Sequence, residues 1–485
     1  MRLAWPWKRK AKAPYPPPQR REILKIPIRR IVNAKYDAAQ TSAENVKHWS
    51  MADSLSADEA NSLSVRKTLR ERARYEVANN SYAKGIVLTL ANDCVGTGPR
   101  LQLLWEDASL CRNVEDAFLT WSNAIDLPGK LRSMRMAKAV DGETFAVLVN
   151  NPGVESPVKL DVMPIEADRV TAANFVATFT EREIDGIHFD GYGNVATYDV
   201  LRNHPGSSGS WFEYDTIDSQ YVIHWYRADR PEQHRGVPEI TPALPLFAQL
   251  RRYTLAVIAA AETAAEFAAV LYTDAPANGE AAPLDMLDLI HLEKRVATTL
   301  PDGWKLGQIK AEQPATGYGE FKKEILNEIA RCLNIPYNIA ACNSSGYNYA
   351  SGRLDHQTYF KSLRVEQTNL ASVVMDRIFN TWIYEAMLTG LFNVPVISQS
   401  EQFQKIPHQW FYDGNEHVDP LKEANAQSKR LESLTTTLAH EYARQGRDWE
   451  TELRQLAKEK KLMSELGLTQ SSTPIIEETE DDEDE

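Results

Sequence analysis

Cysteine is scarce in this 485-residue chain: Cys94, Cys111, Cys332 and Cys342 lie far apart, and none forms a C-x-x-C pair. That spacing excludes a disulfide framework and argues against structural zinc. All four are expected to be small buried apolar residues in a reducing compartment. Long apolar runs are missing too. The most apolar stretch, residues 255–272, is interrupted by Glu262 and Glu266, and two central carboxylates make a poor membrane span. The first residues carry charge with no apolar segment behind it, so no secretory signal is read there. A soluble, intracellular product with no membrane contact is expected.

The motifs of common enzyme chemistry are also absent. There is no G-x-x-x-x-G-K-[ST] loop and hence no cradle for ATP phosphates. Gly96-Thr97-Gly98 lacks the third glycine of a dinucleotide fingerprint, and Pro99 follows where a helix should open. Neither H-E-x-x-H nor G-x-S-x-G occurs, and His440-Glu441 has no second histidine one turn on. No catalytic residue, metal site or cofactor is expected. Asp141 and Glu143 flank Gly142 and could pose as an acid/base pair, but carboxylates beside a tight turn are more often solvated. His224, on a strand among aromatics, reads as a hydrogen-bonded core or interface histidine.

What is present is a long, ordinary globular composition with unevenly placed charge. Hydrophobic residues at 43% suffice to bury real cores, and the length suggests about three structural units. The net charge is −13, yet residues 1–35 hold eleven basic side chains against Glu22 alone, and eight of the last nine residues are acidic. Removing the +10 of that arm and the −8 of that tail leaves −15 for residues 36–476. An acidic body argues against DNA binding through a broad basic face. The arm is also proline-rich and reads as extended or disordered, either a solvated tail or a contact to an acidic partner or nucleic acid.

Helical periodicity begins near Ser64, with Leu69, Ala73 and Val77, then Ala83, Val87 and Ala91 before a stop at Gly96. Asn79-Asn80-Ser81 reads as the turn between them. Leu110, Val114, Ala117, Phe118 and Trp121 mark another amphipathic helix. From Glu143 the period changes to that of strands. Residues 145–149, the alternation Val158, Leu160, Val162, residues 189–200 through an Asp190-Gly191-Tyr192-Gly193 turn, and residues 221–226 make a β-rich unit. An alanine-rich helix is predicted over residues 247–272, and a second over 319–333, stopped by Pro336. A polar loop, residues 343–349, then feeds a helix of roughly thirty-five residues, long against a mean near twelve. Residues 419–461 form a final charged helical segment. No internal repeat is found.

Five segments, in order, resemble one known family. Pro231-Glu232-Gln233-His234-Arg235-Gly236-Val237-Pro238 ahead of the alanine-rich helix is similar to the R-P-x-Q-x-R-G-V-P segment of lambda-type phage portal proteins. Arg72-Ala73-Arg74 with Asn79-Asn80 and Ala83 resembles that family's first wing helix. Ile184-Asp185-Gly186-Ile187 with Tyr192-Gly193-Asn194-Val195-Ala196-Thr197-Tyr198 resembles its β-rich segment. Tyr347-Asn348-Tyr349-Ala350-Ser351-Gly352-Arg353 resembles the start of its long helix, and His417-Val418-Asp419-Pro420-Leu421-Lys422-Glu423-Ala424 its W-V-D-P-x-K-E-A run. His417 departs from the usual tryptophan, and the basic arm and acidic tail match nothing in the pattern.

The resemblance implies an α+β, mostly helical portal fold with wing, stem, clip and crown regions, assembling as a ring of twelve around a DNA channel. Its regions fall at 1–35 (basic arm), 36–239 (wing), 240–272 (stem helix), 273–317 (clip), 318–336 (second stem helix), 337–350 (tunnel loop), 351–415 (long wing helix and return), 416–466 (crown helices) and 467–485 (acidic disordered tail). It implies a non-enzymatic role at the capsid portal vertex of the virion, after assembly in the host cytoplasm. The partners implied are double-stranded DNA, the terminase large subunit, the major capsid protein and head-completion or connector proteins. It also implies a loop touching DNA, carried here by Asn343, Ser344, Ser345, Gly346, Tyr347, Asn348 and Tyr349 with Arg353 as the nearest cation. The plainer alternative is a helix connector with its tyrosines packed on the wing. Glu262 and Glu266, one turn apart on one helix face, line the channel, or else point outward or pair with a neighbour's arginine. An acidic conduit suits passage, since each phosphate contact adds affinity and slows sliding. The competing assignments are an oligomeric capsid adaptor or scaffold that does not contact DNA and, more distantly, a nuclease or packaging ATPase.

Overall fold

The computed structural model describes residues 42–43, 45–172, 179–180, 182–208, 213–266, 270–273, 304–307, 317–392, 406–414 and 420–468. The chain divides into two units, Met1–Ser54 and Leu55–Glu485. Of the first, only turns after residue 42 are described, so the basic arm lies outside the described residues. Everything below concerns the second unit.

It opens with four helices separated by one strand: α1 (Ala57–Ala60), α2 (Leu63–Asn79), α3 (Ser81–Val95), β1 (Arg100–Leu103) and α4 (Ala108–Ala124). The caps explain the punctuation. The Asn80 side chain accepts from the backbone N–H groups of Tyr82 and Ala83, and Gly96 ends α3 at a φ of 57°. The Asp107 carboxylate accepts from Ser109 and Leu110 to start α4. A fifth helix, α5 (Leu127–Asp141), was not foreseen. Its signals are real: Asp126 caps it, Pro128 sits in its first turn, and Gly142 ends it at a φ of 87°. Its buried face escapes hydrophobic periodicity because Arg135 and Lys138 share it with Leu131 and Met134.

The β-rich unit is confirmed, with β2 (Glu143–Asn150), β3 (Leu160–Ile165), β4 (Phe179–Thr180), β5 (Glu183–Ile184), β6 (Ile187–Phe189), β7 (Val195–Leu201), β8 (Tyr214–Asp218) and β9 (Val222–Tyr226). They make two antiparallel sheets, ordered β3-β2-β9 and β4-β5-β6-β7-β8. The central strand β2 is buried on both faces from Glu143 to Leu148. Successive side chains of a strand point to opposite faces, so Phe145 and Val147 enter a core with Tyr198 and Val222. Ala146 and Leu148 instead join the main core of Phe118, Trp121, Trp225, Phe379 and Trp382.

The second half holds α6 (Leu244–Glu266), β10 (Val270–Thr273), β11 (Trp304–Gly307), α7 (Tyr318–Cys332), α8 (Tyr337–Ala340), α9 (Tyr349–Leu370), α10 (Asp376–Leu388), β12 (His408–Phe411), α11 (Pro420–Glu432), α12 (Leu438–Arg444) and α13 (Trp449–Glu465). The alanine-rich helix is shorter than predicted: it ends at Glu266, and Val270–Thr273 pairs with Trp304–Gly307 as a strand. Valine, tyrosine and threonine suit a strand better than a helix. Most of residues 273–317, the expected clip, lies outside the described residues.

Helices α6 and α7 run antiparallel. The Thr254 hydroxyl meets the Tyr318 hydroxyl at 3.1 Å near the start of α7, while the Cys332 thiol at its end donates to the Glu239 carbonyl at 3.3 Å. Phe247, Leu250, Leu326 and Ile329 close the contact over Ile86 and Val87 of α3. The long helix is confirmed and exceeds its expected length: α9 and α10 join without a break through a single π turn, Ala371–Met375. The last charged segment is helical as expected and is divided into three helices, with turns after Glu432 and Arg444. Among the cysteines, Cys94 and Cys111 are buried as expected, Cys332 is half-buried and Cys342 is exposed, because Cys342 sits in the loop after α8 at a φ of 50°.

Candidate functional site

The site begins with its frame. Arg235 is almost fully buried and reaches four groups: both oxygens of the Glu143 carboxylate, and the carbonyls of Val170 and Asp185. Glu143 also accepts from Arg70 at 2.5 Å, from the Gly236 N–H at 3.0 Å, and bonds His224 at 3.0 Å. Burial alone would raise the Glu143 carboxyl. Arg235, the His224 hydrogen bond and Arg70 outweigh it and hold the group well below the usual carboxylate range. The packing leaves no room for a Cβ at Gly142 or Gly236, whose backbones touch one another's segments. Asp141 and Glu143 are therefore neither solvated nor an acid/base pair. Asp141 accepts from Arg74 at 2.7 Å, and both carboxylates are buried ion-pair partners. His224 is a buried, hydrogen-bonded core histidine, as read, stacked between Phe145 and Tyr226.

A second buried group ties this frame to the long helix. Arg135 pairs with Glu239 at 2.9 Å, and Lys138 with Glu366 of α9 while lying over the Trp225 ring. Arg66 meets Asp185 at 2.5 Å. Burial and the nearby Arg235 lower the Arg66 guanidinium to about 10. Sequence reasoning missed this frame. Its signal was the four-residue spacing of Arg66, Arg70 and Arg74, which puts three cations on one face of α2.

Local hydrogen bonds fix the base of the loop between α8 and α9. The Asn343 N–H donates to the carbonyl of buried Asn338 at 3.0 Å, and the Asn338 amide meets the His356 ring at 2.9 Å. The Asn348 side chain caps α9 by accepting from the Ser351 N–H at 2.8 Å. Above this base, Asn343, Ser344, Ser345 and Gly346 are exposed, and Gly346 turns the tip at a φ of 85° with open space around it. Asn348 and Arg353 are exposed as well. Tyr347 is half-buried, and burial with the nearby Asp355 pushes its hydroxyl up. The Tyr349 side chain lies outside the described residues.

Glu262 is exposed near the end of α6, and the Glu266 side chain lies outside the described residues. The fold does not bring Glu262 to the loop. The loop follows the end of α7, whereas Glu262 lies about 12 Å beyond the start of α7 at 1.5 Å per residue. The two candidates occupy different levels, about 30 Å apart along the helix pair.

Other clusters offer less. Among the described residues, Glu166, Asp168 and His204 stand close enough to share a cation. Arg70 and Arg74 already hold Asp168, so a metal would have to displace two guanidinium groups. A groove of about 610 Å³ runs between α9 and β12, past Gln367, Ser372, His408 and Trp410. The Thr368 and Ser372 hydroxyls that line it donate to the backbone carbonyls of Arg364 and Asn369, and the His408 ring is held by Asp376 and the Ile406 carbonyl. Among the described residues, no helix is long and apolar enough to cross a membrane.

Comparison with known proteins agrees with the sequence reading. The model of a family described as "Phage portal protein, lambda family" matches residues 45–367. A "Probable portal protein" of Halomonas phage phiHAP-1 is 24% identical over 430 residues, which cover 83% of this chain and 82% of that one. Among solved structures, a chain titled "Neck of empty GTA particle computed with C6 symmetry" aligns at a TM-score of 0.49 and 12% identity, over 79% of this chain and 93% of that chain. One titled "Neck of native GTA particle computed with C12 symmetry" gives 0.46 and 13%, over the same shares.

Proposed function

The chain belongs to the lambda family of phage portal proteins, and on that premise we propose that it is one subunit of a twelvefold portal ring at the capsid vertex. Through its bore double-stranded DNA enters during packaging and leaves at ejection. The observation that carries this reading is the extent of the family match, which takes in both stem helices and the exposed loop. In this assignment the β-rich unit and first helices form the wing, α6 and α7 the stem, residues 273–317 the clip, α9 and α10 a spoke, and the last helices the crown.

The protein acts as a conduit and not as a motor. Its partners are the terminase large subunit during filling, then connector proteins, with the major capsid protein around it. Two features support passage without adhesion. The body is acidic, and the loop tip offers amides and hydroxyls with a single exposed cation, Arg353, behind it. Such a surface contacts sugar–phosphate edges without the salt-dependent grip of clustered lysine and arginine. Glu262 would line a separate level of the bore.

One observation favours the competing adaptor reading: Tyr347 is half-buried, as a simple connector would have it. Electron micrographs of the purified protein decide between them. Rings with a hole of roughly 20 Å or more, wide enough for B-form DNA, are expected. A rod or a compact dimer would refute the conduit and leave the adaptor.

A further inference from the structure

Two helices of the subunit carry unpaired charge of opposite sign on their exposed faces. On α7, Glu320, Glu324 and Glu328 recur every fourth residue and stand above one another, all exposed. On α9, Arg353, Lys361 and Arg364 fall within an arc of about 80° at 3.6 residues per turn, again all exposed. None of the six makes an ion pair among the described residues. The buried charges of the fold, by contrast, are closely paired, as in the frame around Glu143. Like charges one turn apart destabilise a helix, and Lys323 and Arg331, each three residues on from an acid of the stripe, offset it in part without forming an ion pair with it.

Each stripe is also bordered by apolar surface. Phe321 beside the acids is 50% exposed, and Leu354 and Val365 beside the cations are 65% and 68% exposed. Exposed large apolar side chains next to unpaired charge have the character of an interface rim and its adjoining core.

We infer that these faces are the two halves of one contact between copies of this chain. The acidic face of α7 in one subunit seats against the basic face of α9 in the next. Neither face is self-complementary, so the contact is head-to-tail and repeats instead of stopping at a two-fold dimer, and rotation closes it into a ring. The inference rests on the ring reading above and adds which surfaces build it.

Charge reversal tests it on the full chain, read by mass photometry and sizing chromatography at about 0.15 M salt. The acid-reversed protein carries Glu324→Lys and Glu328→Lys; the base-reversed protein carries Lys361→Glu and Arg364→Glu. Each alone should lose at least about tenfold of its ring population, since like charges then face one another. Mixing the two should restore rings, because alternating subunits again present opposite charges at every contact. The chain bearing all four changes should also assemble. Rings formed normally by either reversed protein alone would overturn the pairing. So would a mixture that fails to assemble while both proteins keep wild-type circular dichroism. Should reversal unfold the chain, Glu324→Gln with Glu328→Gln replaces it. Its ring fraction should fall and become less salt-sensitive, because the attraction that salt screens is gone, and an unchanged fraction overturns the pairing. Reversed proteins that form rings but no longer pass DNA would place the stripes on the bore and leave the portal reading standing. A wild-type chain that forms no ring removes both.

Discussion

Replacing Glu143 by glutamine should destabilise the subunit more than any change of similar size on its surface. The carboxylate is fully buried and takes hydrogen bonds from Arg70, Arg235 and the Gly236 backbone, with His224 beside it. Glutamine preserves the shape, removes the charge and turns a donor toward donors. Arg235 keeps the Val170 and Asp185 carbonyls, and Arg70 keeps a longer contact of 3.6 Å to Asp168, so neither is stripped of partners. Breaking a buried ion pair from one side typically costs about 3–5 kcal/mol, and the backbone carbonyls put the expected loss toward the lower end. At about 2–4 °C per kcal/mol for a cooperative unit of 150–250 residues, the apparent Tm should fall by roughly 6–12 °C. Differential scanning fluorimetry at one fixed protein concentration measures it, because assembly makes Tm depend on concentration. Arg202→Ala, which removes a fully exposed pair with Asp215 and Glu213, serves as the control and should leave Tm unchanged. A Glu143→Gln shift no larger than the control's would refute the claim that this network holds the wing to the segment before α6.

Three further outcomes are expected. His224 has its pKa lowered by burial, with Glu143 only partly offsetting it. Its neutral form therefore stabilises the fold above the ordinary histidine value near 6.5, and that contribution is lost as pH falls through the lower folded value. Tm of the wild type should decline below about pH 6.5, and His224→Gln should flatten that part of the profile; equal slopes in the two proteins would contradict the assignment. Reversing Glu262 and Glu266 to lysine should leave rings intact but slow packaging or ejection by adding cations to the bore, and normal packaging would remove both from the channel. For the loop, Ser344→Ala with Ser345→Ala should keep Tm and reduce DNA retention, whereas Tyr347→Ala should lower Tm because the ring is half-buried. Unchanged retention in the serine variant, measured by genome loss from filled particles, would make the loop a connector only.

Much of the element order was determined by local sequence. The caps at Asn80, Gly96 and Asp107, the alternation through β2, and the four-residue apolar spacing of α3, α4 and α7 are each readable within a dozen residues. Family resemblance was legible for the same reason: short motifs such as Arg235-Gly236-Val237-Pro238 keep their neighbours along the chain. What only the tertiary structure decided is where buried charge goes. Hydrophobic periodicity cannot see a helix face made of Arg66 and Arg70 or of Arg135 and Lys138. Whether such a face meets solvent or a carboxylate depends on residues 73 to 228 positions away, such as Glu143 and Glu366. The same holds for Asp141 and Glu143, whose sequence context is that of a solvated turn until Arg74 and Arg235 arrive from elsewhere. It holds for Tyr347 too, which is half-buried although the loop that contains it is polar. Local propensity acts through adjacent backbone, whereas ion pairing and desolvation act through space, and only the fold supplies that distance.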